Sequence, residues 1–202
     1  MLPLPENRLA VAASSEYEFS PEECQTLLVI ARHAIEARAS DQPFEIETLA
    51  EHVPPRLHEI RAAFTTLFLV GQLRGCVGFA VPAYPLYRTI AETAVSAAFL
   101  DPRFPPVTAE EIHQLRIEIS VLSPLQPLDA SEAETLIHIG HHGLLITHMG
   151  RRGLLLPQVA AEHGWNVVDF LENTCLKAGL HREAWREPGA RLEMFTAEIF
   201  GD

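Results

Sequence analysis

Apolar positions along the chain change period several times, and each change marks an element. Cys24, Leu27, Leu28, Ala31, Ala34 and Ile35 recur at helical spacing. Ser20-Pro21-Glu22-Glu23, just before them, combines a capping box with proline at the first helical position, so a helix is predicted to start at Ser20. Residues 62–70 are apolar and rich in β-branched and aromatic side chains, Gly71-Gln72 intervenes, and residues 73–80 resume the apolar character with Gly75 and Gly78 inside. This pattern predicts two strands joined by a tight turn. Leu86, Ile90, Ala94, Val95, Ala98 and Phe99 mark a second amphipathic helix that must stop before Pro102. Thr108-Ala109-Glu110-Glu111 is a second capping box.

Residues 116–122 alternate: Ile117, Ile119 and Val121 share one face, and Glu118, Ser120 and Leu122 share the other, the period of a half-buried strand. Residues 144–146 and 153–156, separated by a turn region at Gly150-Arg151-Arg152, predict a hairpin. Val167, Leu171, Thr174, Cys175 and Ala178 give a last helix with Gly179 placed to cap it, and residues 191–200 read as one closing strand. Strands and helices without regular βαβ repetition predict an α+β (mixed α/β) fold. Its mixed sheet is expected to include residues 62–70, 116–122 and 191–200, covered by the helices beginning near Ser20 and Pro85. Residues 1–19 lack a steady period and read as an N-terminal arm, leaving 20–202 as a single domain.

The composition narrows the class of protein. At 202 residues and 48% hydrophobic content, the chain can bury one full core without metal or disulfide. Its apolar runs are short, and the N-terminus carries Glu6 and Arg8 with no long apolar stretch, so neither a membrane span nor a signal peptide is expected and a cytoplasmic location is. Three widely spaced cysteines, Cys24, Cys76 and Cys175, predict reduced thiols. A net charge of -12 repels phosphate backbones and argues against nucleic acid, with Arg151-Arg152 the only paired basic site. No Walker A run, dinucleotide glycine fingerprint or zinc-protease motif is present.

Leu73-Arg74-Gly75-Cys76-Val77-Gly78 resembles the signature hexapeptide of the AMMECR domain family, whose prokaryotic members are called AmmeMemoRadiSam system protein A. Asp101-Pro102-Arg103-Phe104-Pro105-Pro106, Glu118-Ile119-Ser120-Val121-Leu122, Gly140 through Leu144, Leu156-Pro157-Gln158-Val159, Gly164-Trp165, Phe170-Leu171 and the run Cys175 to Leu180 then resemble family segments in the family's order. The resemblance covers roughly residues 20–200. It implies two unequal lobes, a larger mixed α/β lobe and a smaller β-rich one, with a groove between them lined by the signature. It also implies partnership with a Memo-like protein and a radical S-adenosylmethionine protein. It names no cofactor and no reaction.

Candidate chemistry centres on Cys76, which lies between Gly75 and Val77, two residues after Arg74. A neighbouring guanidinium would favour the nucleophilic thiolate. The alternative is a small buried hydrophobe on a strand, with Gly75 and Gly78 making room for packing. His142, in the Gly140-His141-His142-Gly143 turn, is the candidate acid/base partner, or else a turn residue that fixes local geometry. Arg74, Gly75, Gly78, Arg103, Glu118 and Gln158 are candidate ligand contacts. Arg103 and Glu118, charged among apolar neighbours, could equally belong to buried pairs, and Gln158 could tie down the next helix. His138, His141, His142 and His148 raise a metal site, set aside because Gly140 interrupts the spacing and no carboxylate lies in the cluster. An enzyme or substrate-handling subunit is one reading, and a non-catalytic module that binds a partner or peptide in the groove is the other. An RNA-binding role would require Arg74, Arg103, Arg151 and Arg152 to converge on one face.

Overall fold

The computed structural model describes residues 18–46 and 50–202. Most of the expected arm, residues 1–17, lies outside the described residues. Where description begins, Phe19 is already buried, and the backbone N–H groups of Glu18 and Phe19 donate to the carboxylate of Glu198.

Helix α1 (Pro21–Ala39) opens on the capping box expected at Ser20, its hydroxyl accepting from Glu23 N and Glu23 accepting from Ser20 N. Strands β1 (Ala63–Leu69) and β2 (Gln72–Phe79) form the expected hairpin, turned by Val70 and Gly71, both at positive φ. Helices α2 (Leu86–Phe99) and α3 (Ala109–Ile112) lead to β3 (Leu115–Leu122). Residues Ile117, Ile119 and Val121 of β3 are buried against α1 and α2 together with Leu27, Ile35, Leu67 and Ile90. A Leu or Ile side chain fully withdrawn from water contributes about 2 kcal/mol, so this cluster is the main source of stability in the first lobe. Within it, the hydroxyls of Thr65 and Thr93 satisfy each other at 2.8 Å between β1 and α2.

The second lobe contains β4 (Gln126–Leu128), α4 (Ala133–Leu136), β5 (Gly143–His148), β6 (Arg151–Leu155), α5 (Pro157–Glu162), α6 (Val167–Lys177) and β7 (Arg191–Phe195). β8 (Ala197–Gly201) returns the chain to the first lobe. Its core gathers Leu144, Ile146, Phe170, Leu171, Cys175 and Trp185. Helix α6 is capped by Asn166 and ends before Gly179, which has the positive φ expected of a cap.

The sheets run β2-β1-β3-β8 and β4-β7-β5-β6, giving two lobes of unequal core. Every described pairing is antiparallel, where a sheet of mixed direction was expected, because the connections between neighbouring strands return each one beside its partner in the opposite sense. Residues 191–200 are also not one strand. β7 pairs with β4 and β5, β8 pairs with β3, and the break at Thr196 carries the chain from one sheet to the other. There Ser123 N donates to Thr196 O and Thr196 N donates to Ser123 Oγ, each at 2.9 Å, so the two crossings between lobes are tied together. Arg151 and Arg152 belong to β6, not to a turn: Met149 and Gly150, both at positive φ, make the reversal.

A third cluster, Ala62, Leu122 and Phe195 with Phe64, Leu125, Leu154 and Leu156, joins the lobes. It lies on the side of the first sheet that α1 and α2 leave uncovered, so that side faces the second lobe.

Candidate functional site

Cys76 stands on β2, directly opposite Thr66 of β1, which in turn lies opposite Glu118 of β3. Side chains alternate along each strand, so residues in register point to one side of the sheet. Thr65 and Ile117 face the helices, which turns Thr66, Glu118 and Cys76 toward the second lobe. The Thr66 hydroxyl donates to Cys76 Sγ at 3.2 Å. Two strand spacings separate the backbones of Cys76 and Glu118, about 10 Å. Burial pushes the carboxyl of Glu118 up, nearby Arg116 pulls it down, and Glu162 of α5 pushes it up again. Glu162 is therefore close enough across the seam to be felt electrostatically. Gln158 lies one turn before Glu162 on the same helix, hence on the same side. Its Oε1 is buried with no hydrogen-bond partner among the described residues.

The backbone of Cys76 is clamped from the free edge of β2. Asp101 Oδ2 accepts its N–H at 2.9 Å, and Arg103 Nη2 donates to its carbonyl at 3.2 Å. Asp101 and Arg103 are themselves joined by two charge-assisted bonds, Nη2 to Oδ2 at 2.6 Å and Nε to Oδ1 at 2.9 Å. Arg103 holds the buried Asp101 carboxyl well below the usual carboxylate range. The ion pair thus takes the place of a neighbouring strand at one residue.

Two residues expected to act at Cys76 have other partners. The Arg74 guanidinium is buried, forked onto Glu111 at 3.0 and 2.9 Å and bonded to the carbonyls of Pro105 and Pro106. The β1–β2 register shifts between Leu67 and Phe68, which pair with Gly75 and Leu73, so Arg74 is the bulged residue and its side chain turns to the segment leading to α3. Arg103 is the guanidinium beside Cys76, its Nη2 on the Cys76 carbonyl. Among the described residues no hydrogen bond or ion pair links His142 to Cys76. His142 sits in the second lobe, where Nδ1 accepts the backbone N–H of His138 at 3.0 Å.

Both signature glycines are places of close approach. A Cβ at Gly75 would stand 2.1 Å from the carbonyl oxygen of Ala97 in α2, and one at Gly78 would stand 2.2 Å from the ring of Phe64. His148 lies away from the other histidines of its cluster, bonded to Glu187 at 2.9 Å, and His181 bonds the second oxygen of that carboxylate at 2.9 Å. Among the described residues no group of three or more histidine, cysteine or acidic side chains is arranged to hold a metal. The four arginines weighed for RNA each have an intramolecular partner: Arg74 on Glu111, Arg103 on Asp101, Arg151 on the carbonyl of Gly179 and Arg152 on Thr147. Sequence reasoning did not single out Thr66 or Asp101. Thr66 is hidden in an apolar strand, whereas Asp101, two residues before Arg103 at a helix end, left a signal in its spacing.

The chain belongs to the AMMECR1 family, whose model matches residues 28–200. It is 42% identical over 184 residues to a protein of Methanothermobacter thermautotrophicus, covering 90% of this chain and 95% of the other. It is 40% identical over 196 residues to a protein of Thermococcus gammatolerans, covering 91% and 92%. The crystal structure of uncharacterized protein PH0010 from Pyrococcus horikoshii superposes with a TM-score of 0.85 at 37% identity, over 92% of this chain and 94% of that one. No helix among the described residues is long and apolar enough to cross a membrane.

Proposed function

We propose that this AMMECR1-family chain is a cytoplasmic, cysteine-dependent component that handles a small substrate in concert with a Memo-like protein and a radical S-adenosylmethionine protein. One observation carries the reading: Cys76, Thr66 and Glu118 stand in register on the sheet side turned to the second lobe, and the helix whose Glu162 is felt at Glu118 also carries Gln158, its buried oxygen without a partner among the described residues. In this reading Cys76 attacks or holds the substrate and Thr66 aims the sulfur. Glu118, a carboxyl raised toward neutrality, exchanges protons, and Gln158 Oε1 accepts from a ligand N–H. Asp101 and Arg103 fix the backbone that carries the thiol. Arg74 and Gly75 hold the strand in place, and the Phe64 ring over Gly78 bounds the site.

A second reading, a non-catalytic module binding a partner or peptide between the lobes, draws on the absence of a Cys76–His142 dyad among the described residues and on the commitment of Arg74 to Glu111. Turnover by the radical protein, reconstituted with the Memo-like protein and this chain, separates the two. Cys76→Ser and Cys76→Ala both abolish turnover while the fold melts normally if the thiol acts. Full turnover with Cys76→Ser assigns the face to binding alone.

A further inference from the structure

His142 belongs to a different place, a cavity of about 150 Å³ lined by Ser123, Gln126, His142, Met194, Phe195 and Thr196. It opens beside the tied crossings between the lobes, where Ser123 Oγ and Thr196 N already satisfy each other. Ser123 Oγ also donates to the carbonyl of Pro124 at 3.3 Å, so that hydroxyl has no proton left for a guest. The imidazole of His142, the amide of Gln126 and the hydroxyl of Thr196 are the polar side chains left to meet one. Met194 and Phe195 supply the apolar wall, and the Phe195 ring reaches over Gly143, where a Cβ would stand 2.3 Å from it.

The hydrogen bonding of His142 fixes what its ring can offer. Nδ1 accepts the His138 backbone N–H at 3.0 Å and so carries no proton, which leaves the proton of the neutral ring on Nε2 as a donor. A cationic ring would need a second proton on Nδ1, facing that N–H. Burial and the neighbouring rings of His141 and His138, with centroids at 4.7 and 5.4 Å, push the imidazole in the same direction, below its ordinary range. Among the described residues no cationic side chain lines the cavity, and the chain's net charge of -12 opposes a bound anion. A space on the order of 150 Å³ accommodates a body of about six heavy atoms, the size of benzene.

We propose that this cavity is a binding site for a short-chain, uncharged carbonyl compound of the amide or ketone class, its oxygen accepting from His142 Nε2–H and its apolar body resting on Met194 and Phe195. The site is independent of Cys76 and is built from residues of the second lobe and the two crossings.

The test is a titration of the whole ¹⁵N-labelled protein with isobutyramide at neutral pH, read on the imidazole nitrogens by NMR, with isobutyrate as the charged isostere. The expected result is a saturable shift of His142 Nε2 with a dissociation constant on the order of 1–10 mM. Isobutyrate should bind about tenfold more weakly or worse. His142→Phe should remove isobutyramide binding seen by saturation transfer. Should that variant unfold, Met194→Phe, which fills the cavity and keeps the imidazole, is expected to remove it instead. No saturable shift up to about 100 mM, isobutyrate binding as tightly as the amide, or isobutyramide binding that survives a folded variant would each overturn the proposal.

Discussion

The hydroxyl of Thr66 donates to the sulfur of Cys76 at 3.2 Å across the β1–β2 pair, and Thr66 itself is nearly inaccessible to water. The thiol is therefore aimed by a neighbour that cannot easily turn elsewhere. Below it, the Cys76 backbone is pinned through Asp101 and Arg103, so sulfur, hydroxyl and ion pair act as one unit.

Asp101 should be the costliest member of that unit to lose. In the folded state its carboxyl lies well below its unfolded value, so its contribution is complete above about pH 4 and is lost only as pH falls through the lower folded value. Asp101→Asn is expected to lower stability at pH 7 by about 2 kcal/mol, since it takes the buried carboxylate's charge from the half-exposed Arg103 and weakens the bond to Cys76 N. Urea denaturation at pH 7 checks this, and a loss below about 0.5 kcal/mol would contradict it.

Glu118 should behave in the opposite way. Its folded value lies above the unfolded one, so ionisation costs the folded state. That cost is absent below about pH 4, grows as pH rises toward the folded value and is complete above it. Glu118→Gln is expected to melt higher than the parent at pH 7.5 and at the same temperature near pH 3.5, measured by calorimetry at both pH values. A lower melting point at pH 7.5 would mean that the ionised carboxylate is held by partners instead of being penalised.

Gly75 faces the backbone of α2, and backbone cannot step aside as the end of a flexible side chain can. With 2.1 Å between a new Cβ and the Ala97 oxygen, Gly75→Ala must push strand and helix apart, costing about 3 kcal/mol or more. Thermal melts of the purified variant test this. A change within about 0.5 kcal/mol would show that the strand–helix spacing is adjustable.

Much of the fold was legible in the sequence, and the parts that were not share a cause. Capping boxes at Ser20 and Thr108, the Gly179 cap and the alternation of Ile117, Ile119 and Val121 are local signals, and each marks the element it predicts. The split at Thr196 is invisible locally, because it depends on β5 and β3 as partners and on Ser123 lying alongside. Met149 takes a positive φ that its residue type disfavours, which moves the turn ahead of Arg151. At the candidate site the signature marked Cys76, but neighbours in sequence were poor guides to neighbours in space. Arg74 is turned to Glu111 and His142 lines a cavity with Ser123 and Met194, whereas Thr66, from the adjacent strand, reaches the sulfur.

The central claim, that Cys76 is the available thiol on the inter-lobe side, is tested most directly by alkylating the native protein with iodoacetamide and mapping the labelled peptides over time. Burial pushes the Cys24 thiol up to about 12, helped by Glu198 and Glu23, and burial pushes up the Cys175 thiol as well. Both should label slowly, and Cys76 should label first, about tenfold faster or more. Labelling of Cys24 or Cys175 ahead of Cys76 while the protein stays folded, or a Cys76 inert until denaturant is added, would contradict the claim and leave this face of the sheet as packing.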